Sequence, residues 1–369
     1  MLHRSVLLGG WLLLISPSLK SEELPPPTSP SGLSEADQEK IKKVVQEHFN
    51  SVVLVEGDQS AGSGFVAHAD GKTWVYTAAH VFCGNKKLSL ATADGRKLKK
   101  FGSFQASRDA DLVRIELLDE FDSKVEIGDP GVAQVQDPLL AVGNSGGAGV
   151  LTVLSGQILS LGPAQMEVSA GVIQGNSGGP IFSGESGEAI GVVTHLVAAR
   201  EDLWAKDTDF SEVRRFATRL DRAIEWDEMP IGRFLSEKSR LDEFNRNTQV
   251  LFALSALDPG QAGLRLNTRV SEEGPTLLSI LSENEDKRVV SELIEMNRSL
   301  GERSLRTSES DLKKRFSRFY STALRDLNKD RKDLQPEGFS GYNRASARNA
   351  LEWRDDAVQR LERVSSAIR

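Results

Sequence analysis

The chain has 369 residues, 39% of them apolar, enough for about two domains with their own cores. A formal net charge of −7 supplies no global basic field, which excludes nucleic acid as the expected partner. Cys83 is the only cysteine, so packing rather than an intrachain disulfide must hold the fold, and in HVFCG it reads as a small buried residue.

The first residues, MLHRSVLLGGWLLLISPSLKS, give a short basic start, an apolar run over 6–15 and then small polar residues. That layout predicts a secretory signal peptide over 1–18, with a cut after Ser21 and an uncleaved anchor as the competing readings. No other stretch is long and apolar enough to span a bilayer. The expectation is therefore an exported chain, periplasmic or secreted, with no membrane span once mature. Residues 19–33 are rich in proline and serine and read as an extended linker. Ser34 then caps a short helix with Ile41, Val44, Val45 and Phe49 at helical spacing.

From residue 51 to about 206 the pattern turns to strands. SVVLVEG, GSGFVAHADGKTWVYTAAHV, KLSLATADGRKLKKFG, DLVRIELL, PLLAVG, VLTVLSGQILSLG, QMEVSAGVI, GPIFSG and EAIGVVTHL are short apolar, β-branched runs, broken by turn pairs such as Asp70-Gly71 and Asp94-Gly95. So many short strands at close spacing predict an all-β barrel or sandwich.

Within this region His80 ends TWVYTAAH, Asp111 opens DLVRIEL, and Ser177 lies in QGNSGGP. A serine hydroxyl is a poor nucleophile until an imidazole removes its proton. The imidazole in turn needs a carboxylate to fix its tautomer and stabilise its charge. Gly175 would let its own N–H turn inward beside that of Ser177, giving two donors for a developing oxyanion.

TAAH at 77–80, DLVRIEL from 111 and GNSGGP at 175–180 resemble, in order and spacing, the three signature blocks of the trypsin-like, chymotrypsin-fold serine peptidases. The disulfide-free layout and GSGF at 62–65 are similar in particular to the bacterial Deg/HtrA group, and the resemblance covers roughly residues 50–225. It implies two six-stranded antiparallel β-barrels with the site in the cleft between them. His80 would be general base, Asp111 its orienter and Ser177 the nucleophile, with Gly175, Ser177 and an assisting Asn176 at the oxyanion hole. It also implies that Gly171, six residues before the serine, floors the specificity pocket, with Thr194, His195 and Leu196 as its wall. Without an acidic floor the expectation is cleavage after small or medium apolar residues.

GNSGG occurs twice, at 143–147 and at 175–179. Ser177 is followed by Pro180 and two strands, as the family places after its nucleophile. Ser145 lies where Deg-type sequences carry a Gly-Asn-Pro turn, and so reads as a loop. The alternative nucleophile elbow of α/β-hydrolases needs a helix after the serine and an acid and histidine beyond it, which GNSGGPIF does not supply. Asp109 competes with Asp111, which is preferred because the apolar run that buries the acid starts immediately after it. His3, His48 and His68 read as leader or structural residues; for His195 structural and pocket roles are both open. No His/Cys cluster has zinc spacing and no acidic loop has the calcium pattern, so no metal or cofactor is expected.

DLWAKDTDFSEVRRFATRLDRAIEW reads as a last strand near Leu203–Lys206 and then a helix that closes the domain, so residues 34–226 read as the peptidase domain. The remainder, 227–369, departs from the Deg pattern of a following PDZ domain and reads as helical. Leu312, Phe316, Phe319, Ala323 and Leu327 share one helix face, and Leu351, Val358, Leu361, Val364 and Ile368 another. These stripes read as packing surfaces of a small helical domain, with a homo-oligomer interface as the alternative. KKRFSRFY at 313–320 reads as a solvated face. The expected activity is that of a serine endopeptidase on polypeptide substrates, particularly unfolded or damaged proteins. A catalytically silent relative that binds peptides in the same cleft is the second possibility.

Overall fold

The computed structural model describes residues 35–122, 125–198, 213–255 and 309–368. The leader over 1–18, the linker over 19–33 and the strand expected near 203–206 lie outside the described residues, as do the side chains of Ile41, Leu312, Phe316, Phe319, Leu327 and Ile368. The chain forms two compact units, one comprising residues up to 236 together with 340–342, the other comprising 237–339 and 343–369.

The first unit begins with α1 (Glu35–His48) and is otherwise mostly β. Its first sheet joins β1 (Val52–Gly57), β2 (Ala61–Ala69), β3 (Lys72–Thr77), β4 (Leu88–Thr92), β5 (Lys97–Leu98), β6 (Phe101–Ser107), β7 (Val113–Leu117) and β14 (Trp226–Glu228) in the order β14-β6-β7-β3-β2-β1-β4-β5. Asp70 and Gly71, both at positive φ (54° and 70°), close the β2–β3 hairpin with the two-residue turn their sequence predicts. β5 and β6 lie near opposite ends of the ladder yet are separated in sequence only by Lys99 and Lys100, a span of at most about 11 Å, so the sheet must curl back towards itself. This half has eight strands in an open ladder, where two six-stranded barrels were expected. The additions are the two-residue β5 and β14, a strand contributed from beyond the barrel.

The second sheet is a closed six-stranded barrel of β8 (Pro138–Gly143), β9 (Thr152–Leu161), β10 (Gln165–Val168), β11 (Pro180–Ser183), β12 (Ala189–Ala198) and β13 (Val213–Arg219), in the order β10-β13-β12-β11-β8-β9; β13 stands where the sequence predicted a helix, because pairing with β10 and β12 closes the barrel. Period-two alternation divides its residues between two cores. On β8, Leu139 and Ala141 enter the barrel interior with Ile158, Met166, Ile181, Val193 and Ala217. Leu140 and Val142 point the other way and pack with Phe182 and Val192 against Val52, Phe65, Trp74, Tyr76 and Leu112 of the first half. Burying side chains of this size contributes about 1.5–3 kcal/mol each, so this shared core fixes the two sheets against one another and sets the seam between them.

In the second unit, α3 (Ile231–Ser255) from Glu237 onward, α4 (Glu309–Leu327) and α5 (Gly341–Ile368) surround a core that includes Leu241, Phe244, Leu334, Phe339, Ala347 and Ala350. The buried stripe of α5 runs through Asn343, Ala347, Ala350, Arg354, Ala357, Leu361 and Ser365. Of the expected apolar stripe only Leu361 belongs to it; Leu351, Val358 and Val364 are half-buried beside it. Arg354 is fully buried, stacked 3.8 Å from the Phe244 ring, donating to Thr248 Oγ1 at 2.7 Å and to Asp330 Oδ1 at 2.8 Å. Alanines let the helices approach closely, and the guanidinium replaces a large apolar side chain while keeping its polar atoms satisfied.

Among the described residues no helix is long and apolar enough to cross a membrane.

Candidate active site

β3 ends at Thr77, and the chain turns through Ala78 into the single-turn helix α2 (Ala79–Phe82). Ala79, Val81 and Phe82 are buried and anchor that turn, which leaves the His80 side chain 37% exposed. Asp111 lies two residues before β7, beside the fully buried Leu112. Its Oδ2 is 2.6 Å from His80 Nδ1, and its Oδ1 accepts the His80 backbone N–H at 2.9 Å. With the carboxylate on Nδ1, the neutral ring holds its proton there and keeps the lone pair on Nε2. Burial acts to lower the His80 pKa, but the Asp111 charge and hydrogen bond outweigh it and raise the value above the usual 6.5. Burial acts to raise Asp111, and the His80 charge and hydrogen bonds overcome this and hold it below the usual carboxylate range. Asp109, the competing acid, is held elsewhere by a two-pronged pair with Arg222 at 2.8 and 3.0 Å and a bond from Ser107 Oγ at 3.0 Å.

Ser177 lies on the loop between β10 and β11, and that loop is pressed onto the first sheet. Ser63 N–H of β2 donates to the Ser177 carbonyl at 2.8 Å. Gly178, at φ +86°, lies so close to β2 and β3 that a Cβ there would meet Ser63 O and Thr77 Oγ1 at 2.1 Å. Since His80 follows Thr77 by three residues, this contact brings the serine loop to the imidazole's side of the seam. Ser177 Oγ is 3.5 Å from the Thr194 carbonyl, a marginal hydrogen bond, and among the described residues none joins it to the His80 ring.

The backbone N–H groups of Gly175 and Ser177 have no acceptor among the described residues, whereas the neighbouring Asn176 N–H donates to Ile173 O at 3.1 Å and Gly178 N–H to Val193 O at 2.7 Å. The direction of the Gly175 N–H has an identifiable cause. The Gln174 carbonyl accepts from Gly146 N–H at 2.7 Å, and in a planar trans peptide the following N–H points the opposite way. Gly175 sits at φ +94°, and a Cβ there would fall 2.1 Å from Asn144 O. The first GNSGG copy therefore forms the floor on which the second is laid. Ser63 Oγ ties them further, accepting Asn144 N–H and donating to Gly175 O, both at 2.8 Å. Ser145 Oγ bonds Thr152 Oγ1 and donates to Asn176 Oδ1 at 3.1 Å. Asn176, expected to assist at the oxyanion position, is fully buried and uses its side-chain oxygen to accept from Ser145 and from Ile173 N–H at 2.9 Å.

Of the residues expected around the pocket, Gly171 forms the middle of a tight turn closed by Val172 N–H to Ala170 O at 2.7 Å, and a Cβ on it would meet nothing within 4 Å. Thr194 is buried, Leu196 half-buried, and the exposed His195 stacks on Phe216 at 5.0 Å with Nδ1 3.2 Å from Thr194 Oγ1. Burial lowers the His195 pKa, and the nearby His80 charge lowers it further against the opposing pull of Asp111. Sequence reasoning missed Ser63 and the bracing part of residues 143–147; the repeat of GNSGG was the one signal that pointed there. No group of three or more His, Cys, Asp or Glu side chains among the described residues could hold a metal ion.

Residues 62–192 match the family model described as trypsin-like peptidase domain. A probable periplasmic serine protease, do/HhoA-like, from Haemophilus influenzae is 31% identical over 148 residues, covering 37% of this chain and 31% of the relative. A probable periplasmic serine endoprotease, DegP-like, from Brucella suis is 34% identical over 144 residues, covering 37% of this chain and 27% of the relative. The crystal structure of a serine endoprotease from Yersinia pestis aligns with a TM-score of 0.39 at 24% identity, over 48% of this chain and 62% of that one. The chain spans about a third or less of the length of these two curated relatives. Residues 62–192 are thus similar to a trypsin-like peptidase domain, and the curated relatives that the chain resembles are described as periplasmic serine proteases of the do/HhoA-like and DegP-like kind.

Proposed function

We propose that the first unit is a serine endopeptidase that works through an acyl-enzyme, with His80 as general base, Asp111 as its orienting acid and Ser177 as nucleophile. The observation that carries this reading is the pairing of a carboxylate-held imidazole with a serine loop that leaves the Gly175 and Ser177 N–H groups without acceptors among the described residues. In the reaction Ser177 Oγ attacks the substrate carbonyl as its proton passes to His80 Nε2. The oxyanion is held by the two N–H groups, and collapse expels the amine, which takes the proton back from the imidazolium. Water then repeats the sequence on the ester. To begin, the Ser177 hydroxyl swings from the Thr194 carbonyl towards the ring, a movement in keeping with catalytic hydrogen bonds that tighten only once substrate is bound. The curled first sheet and the closed barrel correspond, on this reading, to the two barrels of the chymotrypsin fold with the cleft between them.

The substrates are unfolded polypeptides, because a cleft that pairs with extended backbone needs a chain free of its own structure. The leader over 1–18 would export the chain, and the two relatives named above are described as periplasmic. The test is digestion of a reduced, alkylated protein substrate by the wild type and by Ser177→Ala. Wild-type cleavage abolished by the substitution is the predicted result; equal rates would overturn Ser177 as the nucleophile, and no cleavage by folded wild type would favour a silent peptide-binding module.

A further inference from the structure

A charge lies beside the turn expected to floor the specificity pocket, one that the Gly171 position does not reveal. Arg215 lies on β13 opposite Leu196 of β12. Two residues further on, Ala217 pairs with Val193, and both enter the barrel core; strand alternation puts Arg215 on that same inward face, nearer the barrel's end. Its Nε donates to the carbonyl of Val172 at 3.0 Å and its Nη1 to the carbonyl of Val213 at 3.1 Å. The first bond fastens the guanidinium to the 170–172 turn, the same turn that leaves open space beside Gly171.

Arg215 differs from the other arginines of its segment. Arg214 is paired with Glu167 through two bonds of 2.7 Å, Arg219 with Asp221 at 2.9 and 2.8 Å, and Arg222 with Asp109. Arg215 is half-buried, and its hydrogen bonds among the described residues go to backbone carbonyls alone. A guanidinium has five N–H donors, so roughly three remain for a ligand. Thr194, whose carbonyl lies 3.5 Å from Ser177 Oγ, precedes Leu196 by two residues. With about 3.3 Å per residue along the strand and about 5 Å across to the partner, the Arg215 and Thr194 Cα atoms are roughly 8 Å apart. A side chain on the residue acylating Ser177 is thus within reach of the guanidinium.

We infer that Arg215, held against the Val172 carbonyl beside the open space at Gly171, selects substrates with an aspartate or glutamate immediately before the scissile bond. This rests on the peptidase reading above and replaces the apolar preference expected from Gly171 alone. A substrate carboxylate would supply the charged partner that Arg215 lacks among the described residues, with planar two-bond geometry that a carbonyl cannot offer. An apolar side chain would leave the half-buried cation without that partner. Charge-assisted hydrogen bonds of this kind correspond to about 10- to 100-fold in kcat/KM between acidic and apolar peptides of equal size.

The test uses the full chain and fluorogenic peptides that differ only at the residue before the cleaved bond: Asp, Glu, Ala, Val, Leu and Arg. A fluorophosphonate probe is run in parallel. The wild type is predicted to label with the probe and to prefer Asp or Glu by at least about tenfold. Arg215→Gln should abolish the ratio of acidic to apolar turnover, and Arg215→Glu should turn it towards Arg. Labelling with Ala or Val preferred over both acids overturns this inference and leaves the peptidase reading standing, as does an acidic preference that survives Arg215→Gln. Absence of both labelling and cleavage in folded wild type overturns both. Should the variants fail to fold, the wild-type profile alone decides.

Discussion

Residues 143–147 and 175–179 share the sequence GNSGG and hold their serines to different ends. In the first copy Ser145 Oγ is engaged by Thr152 and Asn176, and Gly146 N–H is directed at Gln174 O. In the second, the Ser177 hydroxyl has, among the described residues, only a 3.5 Å contact, and the Gly175 and Ser177 N–H groups have no acceptor there. The first serine's hydroxyl is engaged on two sides and the second's is nearly unbonded. The lesson is that a reactive serine is marked less by its flanking glycines than by donors left open around it, which another segment must hold in place.

The largest expected effect separates the two serines. Ser177→Ala should lower kcat by about 10⁴- to 10⁶-fold, with thermal stability kept, as measured by peptide turnover and a melting scan. Next comes the acid. Asp111→Asn should cost about 10⁴-fold in kcat by stabilising the wrong tautomer, while Asp109→Asn, acting on a partly exposed pair with Arg222 and a bond from Ser107 that do not involve His80, should cost less than about threefold. The same pair sets the pH profile. With its pKa raised by Asp111, His80 remains protonated to higher pH than a free imidazole, so wild-type kcat/KM should rise with pH through a midpoint above 6.5. Asp111→Asn should move that midpoint down. For stability the signs are opposite on the two sides. The His80 contribution is full below its unfolded pKa and is lost as pH rises through the raised value. The Asp111 contribution is full above its unfolded pKa and is lost as pH falls through the lowered one.

Gly175→Ala should reduce kcat by about 10²- to 10³-fold, the cost of losing one oxyanion donor, because a Cβ pressed against Asn144 O forces the peptide to turn. The smallest effect tests the brace itself. Ser145→Ala removes the neutral hydrogen bonds to Thr152 and Asn176 and, through the one on Asn176, should lower kcat by about fivefold with KM unchanged. A KM effect without a kcat effect would mean that the first copy touches substrate instead of holding the second.

The three side chains proposed for catalysis could be named from sequence because the chemistry restricts residue type and the strand pattern places them. The mostly β character with a helical remainder was legible for the same reason: alternation and turn pairs are local signals. What was not legible depended on partners distant in the chain. Arg222 engages Asp109 across 113 positions and Ser63 Oγ reaches Gly175 across 112, contacts that no local pattern encodes. β14 joins the first sheet from beyond the barrel, pairing Trp226 with Ser107, so strand counting within 51–206 could not include it. On α5 the stripe was misplaced because burial followed Ala347, Ala350, Arg354 and Ala357 rather than the larger apolar side chains. Arg215, the residue inferred to set specificity, escaped notice because it lies on β13 and reaches the 170–172 turn through Val172 O, far in sequence from the position before the serine.

The most direct measurement of the central claim is to treat the folded protein with a fluorophosphonate and map the adduct by peptide mass spectrometry. The account predicts one modified residue, Ser177, with labelling lost in His80→Ala and Ser145 untouched. An adduct on Ser145, or none on a folded protein saturated with peptide substrate beforehand and then freed of it, would contradict it.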